Sequence, residues 1–162
     1  MVMIDSRFKG NSNLSPTAGV KDMISIRPYD PEDEKEVIQL WDKVFPNSPP
    51  HNNPVRDIKT KRSVQPDLFI VAIQQDQLVG TAMAGFDGHR GWVYYLCVDP
   101  DFRRQGIGTA LMRRVENKLE ALGCPKLNLQ IRADNQEVQT FYEKLGYFSE
   151  DRVSMGRKLN AS

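Results

Sequence analysis

Cysteine and histidine are scarce in this 162-residue sequence, with two of each. Cys97 and Cys124 cannot build a disulfide framework. His51 and His89 stand apart from them, so no group has the spacing of metal ligands, and no metal is expected. A reduced cysteine pair fits an intracellular, cytoplasmic chain. Net charge is nearly absent as well. Twenty-two Lys plus Arg against 21 Asp plus Glu leave +1, without the basic excess of a dedicated nucleic-acid binder. Long apolar runs are missing: the stretch from Leu68 to Ile73, like every other apolar run, falls far short of the roughly 20 residues of a membrane span. Residues 1–10 hold no apolar signal core. No membrane and no nucleic acid are therefore expected as partners.

What is there is ordinary for a globular protein: 40% apolar and 27% charged residues. A chain of this size buries roughly two-thirds of its unfolded surface, enough for a core without staples. Residues 1–21 are polar, small and aperiodic around Gly10, Asn11, Ser12 and Asn13. They read as a flexible N-terminal extension, because too little apolar surface is present to offset ordering. Residues 22–162 read as one domain.

The alternation of Met23, Ile24, Ser25 and Ile26 predicts a strand. Asp30 and Pro31 start a helix whose acidic first turn suits the helix dipole and is expected to be solvated, with Val37, Leu40, Trp41 and Val44 as its buried stripe. A proline-rich loop and a basic helix with Arg56, Lys59, Lys61 and Arg62 follow. Two strands, 68–73 and 78–86, form a hairpin over a four-residue connection. Residues 92–98 are a third β-prone run. A helix is expected from about Thr109 to Leu122, with Leu111, Val115, Leu119 and Leu122 on one face and Gly123 closing it. A strand over 127–132, a helix over 135–145 started by an Asp134/Glu137 capping box, and one or two strands over 147–159 complete the order β-α-α-β-β-β-α-β-α-β. This is an α/β (α+β) protein with a mixed sheet.

The chemistry concentrates where residues 98–111 end a strand and open a helix across Arg103, Arg104, Gln105, Gly106, Ile107, Gly108 and Thr109. Helix N-termini carry unpaired N–H groups and bind phosphates, and glycine lets backbone approach them. A P-loop signature is absent. A dinucleotide fingerprint fails, because Leu111 stands where its third glycine belongs and residues 127–132 carry no acid. The pattern that fits is [R/Q]-x-x-G-x-[G/A], as Arg103, Gly106 and Gly108.

That pattern resembles the GCN5-related N-acetyltransferase (GNAT) superfamily over about residues 23–159. Residues 127–135 look like the family's fifth strand and following Asn, and Thr140 to Tyr147 are similar to its "FYEKLGF" helix end. Residues 85–91 and 123–126 further resemble a bacterial subgroup, the YpeA-like acetyltransferases. The resemblance implies a largely antiparallel sheet splayed between strands 4 and 5, acetyl-CoA as cofactor, and an amine on a small molecule or a protein as acceptor. It implies that residues 104–109 hold the pyrophosphate and that the backbone of Leu96, Cys97 and Val98 pairs with the pantetheine arm. Asn135 would contact that arm, and Tyr142 would be the acid that protonates the leaving thiolate. The glutamate some relatives carry on strand 4 or 5 is replaced here by Trp92 and Gln130. Asp87 and His89 are further candidates for a base or an acceptor contact.

Blander readings stand beside each of these. The glycines shape any tight turn, Tyr142 falls on an apolar helix stripe, His89 suits a turn, and Cys97 suits a small core filler. The expected activity is N-acetyl transfer by direct attack, in a monomer or homodimer. The rivals are a non-catalytic acyl-CoA-binding or partner-binding module and a nucleic-acid-associated protein using the basic helix.

Overall fold

Alternating apolar side chains in the middle strands demand cover on both faces of the sheet, and the helices supply it. The computed structural model describes residues 23–49 and 51–159. The expected extension, residues 1–21, lies outside them. The elements are β1 (Ser25–Pro28), α1 (Glu34–Val44), α2 (Pro54–Lys61), β2 (Phe69–Gln74), β3 (Gln77–Phe86), β4 (Gly91–Val98), α3 (Ile107–Ala121), β5 (Leu127–Asn128) and α4 (Gln136–Lys144). The strands lie in sequence order, antiparallel from β1 to β4 and parallel between β4 and β5.

Phe69 and Val71 face one way with Leu78, Met83 and Cys97, and are covered by Val37, Leu40, Trp41 and Val44 of α1 and Ile58 of α2. Ile70 and Ala72 face the other way with Val93, Leu96 and Val98, under Leu111, Met112, Val115 and Leu119 of α3 and Val138 and Tyr142 of α4. Each large side chain so buried contributes about 1.5–3 kcal/mol. Gly80 permits the close seat of α3. A Cβ there would stand 3.0 Å from both the Cys97 carbonyl oxygen and Leu111 Cδ1.

Several local expectations change. The acidic start of the first helix is not simply solvated: Asp33 is buried and takes a two-pronged hydrogen bond from Arg27, at 2.7 Å to each oxygen. Burial opposes its charge, but the guanidinium and the Asp30 N–H outweigh this and hold its carboxyl below the usual range. The β2–β3 connection is two residues rather than four. Gln75 and Asp76 both have positive φ, 52° and 59°, which matches the twist of a tight hairpin.

Helix α3 begins two residues early, at Ile107, because Gly106 serves as its cap at φ 78°. Leu122 lies past the helix end and is exposed. The cap of α4 is Asn135, whose side chain accepts from the Val138 N–H; Asp134 pairs with Arg132 instead of forming a box. The strand expected over 127–132 pairs for two residues and then parts from β4. Leu129 and Ile131 still pack against the α3 side without a ladder. No strand forms over 147–159. Phe148, Val153, Met155 and Leu159 point into solvent there, so no buried face rewards pairing.

Candidate active site

Strand β4 carries two anomalies that build a cleft. Its ladder to β5 covers Gly91↔Leu127 and Trp92↔Asn128 and stops, so residues 93–98 face a gap where the two strands diverge. Its ladder to β3 slips between Thr81↔Cys97 and Met83↔Tyr94, leaving an extra residue on β4. Tyr95 lies in that bulge with φ 50°, a conformation that costs a non-glycine residue about 1–3 kcal/mol and persists only when its surroundings enforce it. They do. The Tyr95 ring stacks on Trp41 at 3.9 Å, and Thr81 Oγ1 donates to the Tyr95 carbonyl at 2.8 Å. Trp41 Nε1 in turn donates to Thr81 Oγ1 at 2.9 Å.

The chain then turns through Pro100–Phe102, with Asp99 capping the Asp101 N–H at 2.9 Å. Lys43, at the end of α1, holds Asp99 at 2.7 Å and Asp101 at 2.9 Å. Arg103 folds back with Nε 3.4 Å from the Val98 carbonyl oxygen. Gln105 Oε1 accepts from Gln74 Nε2 at 2.9 Å, which anchors the next turn to β2. Arg104 and Gly106 both have positive φ, 65° and 78°. The loop therefore delivers the first N–H groups of α3 at the end of β4, where nothing stands within 4 Å of the missing Gly106 Cβ. Gly108 is buried and Thr109 half-buried under this opening.

Tyr142 reaches the same core from α4, in one cluster with Leu96, Val98 and Ile107. It is 1% exposed, and among the described residues its hydroxyl finds no hydrogen-bond partner. Such a group is costly to leave unsatisfied. Burial, and then neighbouring Tyr147, push its pKa above the ordinary tyrosine value, so it keeps its proton. Asn135 sits at the start of the same helix as its cap. Cys97 is sealed beside Thr81, and burial pushes its thiol up to about 12; it contributes backbone to the cleft, not a nucleophile.

Asp87 and His89 lie elsewhere. Their turn precedes β4, whereas residues 96–98 end it, about 16–23 Å beyond Gly91 at about 3.3 Å per residue. Asp87 Oδ1 accepts from the His89 and Arg90 N–H groups, which hold its carboxyl below the usual range. Gln130 donates to Ser154 at 2.6 Å. The sequence marks Tyr95 only as part of a β-prone run. Its role as the bulge, and its 2.8 Å hydrogen bond to Asp57 on α2, left no signal in the pattern, because positive φ and a contact across 38 residues are both invisible there.

A splayed parallel pair, an open β4 edge and a helix N-terminal loop at its end define a recognisable arrangement. The profile of the acetyltransferase (GNAT) family matches residues 34–147. The chain belongs to that family. A protein of Yersinia enterocolitica named acetyltransferase is 46% identical over 136 residues, 84% of this chain and 96% of the relative. A protein of Pectobacterium atrosepticum with the same designation is also 46% identical over that length. The solved structure of AAC(6')-Iy in complex with the bisubstrate analog CoA-S-monomethyl-acetylneamine superposes with a TM-score of 0.73. It covers 85% of this chain and 99% of its own at 19% identity, which is a likeness of fold.

The residues present suit acetyl-CoA. The unladdered β4 edge suits an amide-rich arm, the α3 loop suits a diphosphate, and the Tyr142 hydroxyl is buried without a partner among the described residues. Among the described residues, no group of His, Cys, Asp and Glu could hold a metal ion. No helix among them is long and apolar enough to cross a membrane.

Proposed function

We propose that this protein transfers an acetyl group from acetyl-CoA to a primary amine, on a small molecule or a protein, by direct attack. The observation that carries this reading is the open edge of β4 ending at the α3 N-terminal loop, with the Tyr142 hydroxyl buried and unpartnered beside it. Acetyl-CoA supplies the activated thioester.

The N–H groups of residues 104–109 hold the diphosphate, helped by the dipole of α3, and Arg103 and Arg104 add positive charge to the same loop. The backbone of Leu96, Cys97 and Val98 extends the sheet onto the cofactor's arm and fixes the reacting carbonyl in place. Asn135 contacts that arm from the start of α4. N–H groups near Val98 polarise the carbonyl as negative charge develops on its oxygen. A C–N bond forms, the C–S bond breaks, and Tyr142 gives its proton to the departing thiolate and recovers one from water. Trp92 and Gln130 cannot take the amine's proton, so it leaves through water from the bound ammonium.

Calorimetric titration with acetyl-CoA, against NAD and ATP, tests the reading first. Selective binding of acetyl-CoA is expected, followed by amine-dependent thiol release. Binding without release on any amine favours a non-catalytic acyl-CoA-binding module. No binding at millimolar acetyl-CoA removes the proposal.

A further inference from the structure

Asp57 and Tyr95 take no part in the chemistry above, yet together they present a carboxylate at the bulge. Asp57 Oδ2 accepts the Tyr95 hydroxyl at 2.8 Å. Its Oδ1 takes longer contacts from the adjacent Arg56, 3.4 Å from Nε and 3.3 Å from Nη2. The Arg56 side chain is 55% exposed and that of Asp57 24%. An exposed pair of this kind holds weakly against water and salt, so a better placed cation can replace it. The Tyr95 end of the contact is rigid, because Trp41, Thr81 and Phe45 fix the ring and the backbone.

Position gives the pair its meaning. Leu96 and Val98 face α3 and α4, on the side of Tyr142, while Tyr95 and Cys97 face α1 and α2. An arm anchored at residues 104–109 and paired along residues 96–98 runs back toward Tyr95. The residues flanking its reactive end would then be Tyr142 on one face and the Tyr95–Asp57 pair on the other. An acceptor must approach from the face the arm leaves open, and a primary amine arrives at neutral pH as an ammonium.

We propose that Asp57, oriented by the Tyr95 hydroxyl, is the counter-ion that receives a cationic amine acceptor at the bulge end of the cleft. The inference rests on the acetyl-transfer reading and narrows its acceptors to amines that carry positive charge. Asp57 acts in binding and selection, so its loss raises KM more than it lowers kcat.

The test compares wild type, Asp57→Asn and Tyr95→Phe. Thiol release is followed with three cationic probes (1,4-diaminobutane, spermidine and a peptide with a free N-terminus) and with uncharged aniline. Thermal unfolding and calorimetric acetyl-CoA binding serve as controls. In Asp57→Asn the KM for the best cationic probe is expected to rise about tenfold or more, with kcat changed less than about threefold. Acetyl-CoA affinity and the aniline rate stay near wild type, and the KM gap narrows at high salt. Tyr95→Phe raises the same KM by a smaller factor.

Unchanged KM in Asp57→Asn overturns the inference. So does a wild type that binds acetyl-CoA but acetylates none of the three cations. If Asp57→Asn fails to fold, an unchanged KM in Tyr95→Phe overturns it and a raised one supports it. Failure of wild type to bind acetyl-CoA overturns the acetyl-transfer reading itself and this inference with it.

Discussion

Tyr142 shows how much one hydroxyl depends on its surroundings. On a helix surface it would find water; here it is buried in the same apolar cluster as Leu96, Val98 and Ile107 and among the described residues finds no partner. A structural tyrosine in a core normally satisfies its hydroxyl, as Tyr147 does with Glu116 at 2.8 Å. An orphaned oxygen suits the proposed proton donor but does not by itself mark one, because among the described residues the Tyr29 hydroxyl is also buried without a partner. Tyr142→Phe keeps the ring and removes the proton. It should leave acetyl-CoA affinity and the melting temperature near wild type while kcat falls at least about 100-fold. Steady-state thiol release with parallel calorimetry reads this, and a variant with undiminished kcat would return Tyr142 to a packing role.

At the scale of elements, α2 and the turn after it are stitched to β3 beyond the start of β2. Met83 is the last β3 residue with a β2 partner, Phe69. Beyond it, Lys61 Nζ donates to the Ala84 carbonyl, and Gln65 pairs with both the N–H and the carbonyl of Phe86. Side chains thus complete an edge that backbone leaves open. Burial pushes the Lys61 pKa down to about 8 from 10.5. The unfolded chain then binds more protons than the folded one between those values, so stability rises with pH through that window and the penalty is fully present below it. Denaturant melts of wild type and Lys61→Met from pH 8 to 10.5 should show the difference moving in favour of wild type. A difference independent of pH would mean that Lys61 is not desolvated in the folded protein. The same stitching holds Asp57 opposite Tyr95, so α2 is the element through which the acceptor side is built.

Across the whole molecule, the parallel β4–β5 pairing is the narrowest ladder among the described strands, two residue pairs wide. The antiparallel strands with α1 and α2 lie on one side of it, and β5 with α4 on the other. A ligand lying in the gap adds backbone hydrogen bonds that the protein does not make by itself. Acetyl-CoA at 100 times its Kd should raise unfolding free energy by about 2.7 kcal/mol, a rise in melting temperature of roughly 5–10 °C for a chain of this size. Hydrogen exchange should slow at residues 93–98 and 104–109, with little change in β1 and β2. Uniform slowing, or none in β4, would place the ligand elsewhere.

Periodicity and turn chemistry made most of the fold legible. The α1 stripe of Val37, Leu40, Trp41 and Val44, the β2–β3 hairpin, and the Gly106–Gly108 helix start are local properties that a few neighbouring residues decide. So was the family, through residues 103–108 and 140–147, because a phosphate-binding turn needs particular residue types at fixed spacing. Tertiary structure decided the rest. Leu129 and Ile131 alternate like a strand but part from β4, and residues 147–159 alternate weakly and find no face to bury. A strand exists only when a partner ladder and a core accept it. The bulge at Tyr95 arises because Trp41, Thr81 and Asp57, distant in the chain, together hold a backbone conformation that tyrosine does not choose alone. Composition and spacing carry local preference; the cleft and its acceptor side come from contacts between residues far apart in sequence, which only the folded chain brings together.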